Sequence, residues 1–371
     1  MTPPGGLFDA AWWARPGGAG PTLRSTRREL APRIARAGAA DALPARLSAV
    51  FALCGGAHRV TAELALATAR GGSGRPQPAQ RQALRADTVR EHLRRLWLDL
   101  PALAGVAAEA DAALLGTCPL WREAAATVNT VTATHDWAGS TLLGLPAAAW
   151  LQRWQQDPAG WAVEWTLQQR NTPARALAAL RPRLRGIRQP VAALQAQASA
   201  DELRHLARRL RHDAGFALAP TWRGHTAETG CWTRAADPVL RGPASPAADP
   251  WLRLAARVAD LARLLGPDGD QALQLGALAL ADGEAIAWCE TARGLLLHWL
   301  QLDAAGGVAE FRLIAPTDWN GHPFGAAARA LAALAPDAPE ARVRALLAAY
   351  DPCVAVHVER VAQQVVERQH A

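Results

Sequence analysis

Apolar and polar residues recur along this chain with two different periods. Between residues 27 and 70 apolar positions return every three or four residues, the period of an amphipathic helix. These segments break at Gly38 and Pro44 and continue through 47–54 and 60–69. A Gly/Pro/Ser/Gln stretch at 71–78 reads as a linker. The helical period resumes at 88–115 with an interruption at Pro101, at 158–180 with a break at Pro173, at 190–212 and at 251–265. The texture then changes. Short apolar runs at 272–280, 285–288, 294–302 and 308–314 are separated by Asp282-Gly283 and Gly306-Gly307, turn dipeptides at the spacing of a small antiparallel meander. Residues 325–350 return to helix. A last helix is predicted from Asp351-Pro352, with Asp351 as N-cap and Pro352 in the first turn, and 358–368 also reads as helical. Residues 1–25, rich in Pro and Gly, read as irregular, and 26–371 as a single domain without internal repeats. The pattern predicts an α+β fold, mostly helical with a small antiparallel sheet.

The chain has 371 residues, 50% hydrophobic and 20% charged, enough for a substantial core and too apolar for a disordered tail. No apolar run reaches the roughly 18 residues of a membrane span. The N-terminal residues lack the apolar segment of a secretory signal, which predicts a cytoplasmic protein. The net charge is +7, from 40 basic and 33 acidic residues, and every basic residue is Arg. These arginines are spread over predicted helix faces beside Glu, Asp and Gln, which argues against a dedicated nucleic-acid stripe. Five Cys, at 54, 118, 231, 289 and 353, form no Cys-x-x-Cys pair, so a disulfide framework and a zinc ribbon are excluded. Cys118, Cys231 and Cys289 read as buried free thiols. The tryptophans crowd the first half of the chain, and those within 137–165 read either as core or as a surface for docking a partner.

Two small motifs carry candidate chemistry. Cys54-Gly55-Gly56-Ala57-His58 and Cys353-Val354-Ala355-Val356-His357 are both Cys-x-x-x-His. On a helix this spacing places thiol and imidazole on one face, a turn apart. A thiolate at a helix start is stabilised by the local dipole, and Cys353 would lie just after the Asp351 cap. Such a thiolate is a soft ligand suited to iron, nickel or copper. Taken locally, the same residues also fit two small core thiols beside two hydrogen-bonded imidazoles.

Read in order, five segments resemble the large subunit of nickel–iron hydrogenases. Val50-Phe51-Ala52-Leu53-Cys54 with His58 is similar to that family's Arg-Ile-Cys-Gly-x-Cys-x-x-x-His, with Phe51 at the first cysteine and Cys54 at the second. The stretch from Trp222 to Arg234 resembles Gly-x-x-x-Glu-x-Gly-Pro-x-x-Arg, with Cys231 at the proline. Glu290-Thr291-Ala292-Arg293-Gly294 with His298 resembles Glu-x-Pro-Arg-Gly-x-x-x-His, with Ala292 at the proline. Ala315-Pro316-Thr317-Asp318-Trp319-Asn320 resembles Pro-Thr-Thr-Trp-Asn. Tyr350-Asp351-Pro352-Cys353 with His357 resembles Phe-Asp-Pro-Cys-x-x-Cys-x-x-His, shortened and with one cysteine. The chain is short for a catalytic large subunit and lacks half of the ligand cysteines. It is therefore identified as a member of the large-subunit-like HupK/HoxV family of hydrogenase expression/formation proteins.

The resemblance implies a role. In catalytic large subunits four thiolates hold nickel and iron, and the iron carries cyanide and carbon monoxide. With Phe51 in place of a cysteine no four-thiolate site can form, so no nickel is expected. Cys54 and Cys353 are implied to hold an Fe(CN)2(CO) unit transiently. Cys353 matches a nickel-only position by its Asp-Pro-Cys anchor and lies near a bridging position by its distance to His357; both assignments stay open. Arg293 and Thr317, the latter beside Pro316, are the implied donors to cyanide nitrogens. Asp351 would cap its helix and also orient Arg293. His58 and His357 would be hydrogen-bond donors beside the iron rather than ligands. The implied partners are small HypC-type maturation chaperones, which would supply the unit, and the apo hydrogenase large subunit, which would receive it. The protein would be no enzyme, and neither membrane nor nucleic acid is an expected partner. The family's N-terminal Arg-Gly-x-Glu signature is not visible, and Arg27-Arg28-Glu29 is a poor substitute for it. Two further readings stay open: a reduced hydrogenase-like redox enzyme, and an Arg/Trp-rich helical module for binding protein or nucleic acid, with a vestigial metal site.

Overall fold

The structure is a computed structural model of the chain, described for residues 10–17, 21–51, 53–107, 113–123, 127–190, 192–234 and 249–359. Near the N-terminus, β1 (Ala11–Ala14) pairs antiparallel with β2 (Leu23–Ser25). On its other edge β1 pairs in parallel with β7 (Ala355–Val358), so residues from the two ends of the chain share one sheet. This overturns two expectations. The N-terminal 25 residues are not irregular throughout, and Asp351-Pro352 starts no helix. Val354, Val356 and Val358 alternate with other residues, a β-branched pattern of period two that suits a strand. Asp351 itself has φ 49°, a left-handed conformation that a right-handed helix does not accommodate. Beyond Val358, the predicted helix at 358–368 falls mostly outside the described residues.

The predicted meander is present. β3 (Leu275–Ala281), β4 (Glu284–Thr291), β5 (Gly294–Leu302) and β6 (Val308–Ile314) form an antiparallel sheet in chain order. Its tightest turn has consequences for the site. Thr291 pairs with Gly294, which leaves Ala292 and Arg293 as a two-residue loop. Gly294 has φ 126°, and a Cβ there would come 2.4 Å from Thr229 Oγ1, so only glycine fits. Both faces of β4 and β5 are covered, which is why they read as nearly continuous apolar runs.

The helices follow the predicted period with corrections at prolines. The break near Pro173 is real: Pro158–Gln168 ends before Thr172–Leu184, which Asn171 caps by accepting from the Ala174 backbone N–H. Pro101 interrupts nothing. Helix Pro78–Arg94 continues through a wide turn at Arg95–Asp99 into Leu100–Ala104, and that widening absorbs the proline. Within 190–212 the α-helix covers Ala200–His212, with Ser199 as the cap, after a single tighter turn at Ala196–Ala198. Residues 325–350 split into Ala326–Ala332 and Glu340–Ala348. Helices Ala147–Gln156 and Pro158–Gln168 turn Trp150, Trp154, Trp161 and Trp165 inward, and all four are buried. Trp150 stacks on Trp154 at 5.8 Å and meets Trp161 and Trp165 edge-on at 6.0 Å. This cluster is core, not the docking surface that its density admitted.

Trp12 of β1 is fully buried, and Gly321 lies so close that a Cβ would come 2.7 Å from the indole. Trp12→Ala is expected to cost about 3–5 kcal/mol, the range for removing a buried large aromatic. A urea unfolding midpoint, compared with that of an exposed-site control, measures it.

Candidate functional site

Cys54 is the residue before helix Gly55–Ala69, and Cys353 lies in the bend between Asp351 and β7. The thiol at a helix start is therefore the N-terminal one, the reverse of the expectation for Cys353. Both are half-buried free thiols. The charges of two guanidiniums act on both of them. Arg27 Nη1 is 3.5 Å from Cys353 Sγ, and the charges of Arg27 and Arg293 also act on Cys54. Burial first, and then the neighbouring Cys353, push the Cys54 thiol up to about 12, against the pull of Arg293 and Arg27. A metal that binds Cys54 must therefore displace a proton.

Cys353 is held by the short helix Pro316–Asn320. Pro316 opens it, and Thr317 grips Cys353 twice. The Cys353 backbone N–H donates to Thr317 Oγ1 at 3.2 Å, and the same hydroxyl lies 3.1 Å from Cys353 Sγ. Asp318 pairs with Arg27 Nε at 2.7 Å and accepts from the Ala315 backbone N–H at 2.9 Å. Asn320 donates to the Tyr350 carbonyl at 3.1 Å and thereby fixes the chain just before Asp351.

Arg293 projects from the β4–β5 turn and forms a salt bridge with Glu91. Its Nε is buried, lies 3.7 Å from Asp351 Oδ2 and has no hydrogen-bond acceptor among the described residues. Asp351 is ringed by Arg257, by Arg95 at 2.7 Å and by Arg293. Burial alone would raise its carboxyl. The three guanidiniums overcome this and hold it well below the usual carboxylate range. Asp351 thus faces Arg293 from a left-handed turn, not from a helix cap. A cleft of ≈ 250 Å³ opens beside Cys54 and Arg293, with Leu53 and Trp121 on its walls.

The two histidines of the Cys-x-x-x-His motifs go elsewhere. His58 Nδ1 is 3.0 Å from His298 Nε2, and Phe51 stacks on the His58 ring at 4.1 Å. Burial lowers both imidazoles, His298 to about 3, so the pair is neutral and shares one proton across its short contact. His357 lies on the exposed face of β7 and packs against Trp13 at 4.6 Å. It is no donor to the pocket, because strand geometry replaces the helical turn that would have set it beside Cys353.

The other motif residues are structural. Glu228 and Arg253 form a buried pair at 2.6 and 2.8 Å. Cys231, His92 and Asp260 converge closely enough to suit a metal, but the group is closed on itself. Arg234 holds Asp260 at 2.8 and 3.0 Å. Arg257 reaches His92 Nδ1 at 3.3 Å and can only donate, so the Nε2–H of His92 points to Asp260 at 2.8 Å. Cys118, Cys231 and Cys289 are buried free thiols, as read from the sequence. Sequence reasoning missed Glu91, Arg95, Arg257 and Asp318, and passed over Arg27. Asp318 stood inside a quoted motif, and Arg27 inside the segment judged a poor match. The other three had no local signal in a chain this rich in Arg.

Across curated proteins, the chain is 40% identical over 361 residues to the hydrogenase expression/formation protein HoxV of Cupriavidus necator, covering 91% of this chain and 92% of that one. It is 31% identical over 336 residues to HupK of Bradyrhizobium diazoefficiens, covering 85% of each. The chain belongs to the HoxV/HupK family of hydrogenase expression/formation proteins. No protein-family model matches it. Among solved structures, the nickel–iron–selenium hydrogenase of Desulfovibrio vulgaris Hildenborough in the reduced state aligns with TM-score 0.52 and 12% identity, covering 89% of this chain and 92% of that one. At that identity the likeness shows fold alone, and the fold is that of a nickel–iron hydrogenase large subunit, as the motifs implied. In this HoxV/HupK-family chain the pocket holds the half-buried thiols of Cys54 and Cys353 and the guanidiniums of Arg27 and Arg293.

The buried imidazole pair makes a pH prediction. Unfolded, both rings titrate near 6.5; folded, both are held below it. Below that value the unfolded chain binds more protons, so the pair's contribution is complete above pH 6.5 and is lost as pH falls toward 3. Urea midpoints measured from neutral pH to about pH 4 should fall, by up to about 1.4 kcal/mol per pH unit for each imidazole, and less steeply in His298→Gln. Equal slopes in both proteins would contradict a neutral pair.

Proposed function

We propose that this protein is a non-catalytic assembly scaffold in hydrogenase maturation. It holds an Fe(CN)2(CO) unit as cargo on Cys54 and Cys353 and passes it to the apo hydrogenase large subunit. The observation that carries this reading is that thiols from opposite ends of the chain lie in the field of the same two guanidiniums, the part-buried Arg27, 3.5 Å from Cys353 Sγ, and the buried Arg293. Charge complementarity supports it. A bare divalent cation would meet two positive side chains. Iron(II) with two cyanides and two thiolates carries two negative charges, which the guanidiniums match. A buried cyanide nitrogen needs a donor, and the Arg293 Nε–H is buried without a hydrogen-bond acceptor among the described residues. Each charge-assisted hydrogen bond of that kind is worth about 1.5–3 kcal/mol.

The relatives' names, expression/formation proteins, support a role in maturation rather than turnover. No nickel is expected, because Phe51 stands where the resemblance places a nickel ligand and is packed on His58. The cleft beside Cys54 gives the unit a route to that thiol and to Arg293. Small HypC-type chaperones would deliver it, in the cytoplasm. Among the described residues no helix is long and apolar enough to cross a membrane.

Infrared spectroscopy tests the reading directly. Protein isolated anaerobically from a host with intact maturation genes should carry stoichiometric iron together with cyanide and carbonyl stretches, and Cys54→Ala should lose all three. Iron-free protein from that host, or stoichiometric nickel with hydrogen uptake, would overturn it.

A further inference from the structure

The geometry points to Arg27 as the residue that makes Cys353 the releasable arm of the pocket and leaves Cys54 as the retaining arm. This rests on the scaffold reading and deepens it. The two sulfurs are not equivalent. Cys353 Sγ meets Arg27 Nη1 at 3.5 Å and Thr317 Oγ1 at 3.1 Å. Thr317 Oγ1 already accepts the Cys353 backbone N–H, so its proton is free to point at the sulfur. Among the described residues no side chain donates to Cys54 Sγ, although Arg27 and Arg293 act on it at longer range. Arg27 is also fixed in place. Asp318 Oδ1 holds its Nε at 2.7 Å and Oδ2 lies 3.4 Å from its Nη2, while Asp318 is itself buried and anchored to the Ala315 backbone. The guanidinium is therefore aimed at the C-terminal sulfur before any cargo arrives.

Hydrogen bonds to a metal-bound thiolate draw electron density from the sulfur and weaken its bond to the metal. The same donors stabilise that thiolate once the bond has broken. Release then runs in a defined order. The iron–sulfur bond to Cys353 breaks with its electron pair left on sulfur, beside Arg27 and Thr317. An incoming thiolate of the receiving protein donates its own pair to the vacated position. The exchange repeats at Cys54. One thiolate leaves for each that enters, iron stays iron(II) throughout, and no oxidant or reductant takes part. Arg27 acts here as a positioning residue, through Cys353, and does not itself bind iron.

The test uses the loaded protein from its host and compares wild type, Arg27→Leu, Arg27→Lys and Thr317→Val. In Arg27→Leu the cyanide and carbonyl stretches should move to lower wavenumber, because a freed sulfur donates more to the iron. When excess small thiol is added as a surrogate acceptor, retention should lengthen on the order of tenfold, the effect of losing one charge-assisted hydrogen bond. Arg27→Lys keeps a cation for Asp318 and should shift less in the same direction, as should Thr317→Val. If Arg27→Leu does not fold, the lysine variant decides alone. Unchanged frequencies, faster loss or failure to load in the Arg27 variants would overturn this inference while leaving the scaffold reading in place. A wild-type protein without these stretches would instead sink the scaffold reading, and this inference with it.

Discussion

A single carboxylate organises this pocket. Asp351 draws together Arg95 from the wide turn Arg95–Asp99, Arg257 from helix Pro250–Leu265 and Arg293 from the β4–β5 turn. Without that negative charge, three guanidiniums from three separate segments, two of them buried and Arg95 nearly so, would face one another in a medium that screens them poorly. Removing one partner of a buried ion cluster typically costs about 3–5 kcal/mol, because the remaining charges stay buried and uncompensated. The cluster is therefore a constraint on geometry more than a source of stability. It turns the chain left-handed immediately before Cys353, and it presents Arg293 to the same space. Glu91 takes up part of the excess positive charge from the other side of Arg293.

The second constraint is that both ends of the chain have to arrive together. β1 and β7 pair in parallel, a ladder that needs a long connection and here spans nearly the whole sequence. The loop-closure cost of such a pairing rises only slowly with length, so the buried Trp12 and the neighbouring core can offset it. This explains what could be read from the sequence and what could not. The meander was legible because its turns are local: Asp282-Gly283 and Gly306-Gly307 announce themselves regardless of what packs on the sheet. The two end strands are short, and each becomes a strand only beside the other. Their evidence in the sequence is one alternating run of valines, which was outweighed by a proline and an aspartate that also suit a helix start.

The site was legible in its sulfurs and in Arg293 and Thr317, which stand inside motifs. Its electrostatics were not. Every basic residue is Arg, so no composition signal separates Arg27, Arg95 and Arg257, which are buried or nearly so, from the many arginines on exposed helix faces. That distinction is made by the carboxylates opposite them, and those come from distant segments. The histidines show the same limit. Identical spacing from cysteine leads to opposite outcomes, because His58 continues along a helix into the core while His357 alternates outward on a strand.

Phe51 begins a chain of ring contacts beside the site. At the position that the resemblance assigns to a nickel ligand, its ring packs on His58, and His58 in turn meets His298. His298 then packs edge-on against Phe311. An aromatic, imidazole, imidazole, aromatic sequence of contacts thus runs from the start of the helix at Cys54 into the meander. It keeps both imidazoles dry, and therefore neutral and unavailable as cationic donors to the pocket. Restoring a thiol at Phe51 would not by itself rebuild a second metal site. It would uncover His58, disturb that packing and still leave the C-terminal segment with Cys353 as its one sulfur among donors already committed to it. The two ends of the site are thus held differently: Phe51 and His58 by buried ring packing, Cys353 by the Arg27 guanidinium and the Thr317 hydroxyl.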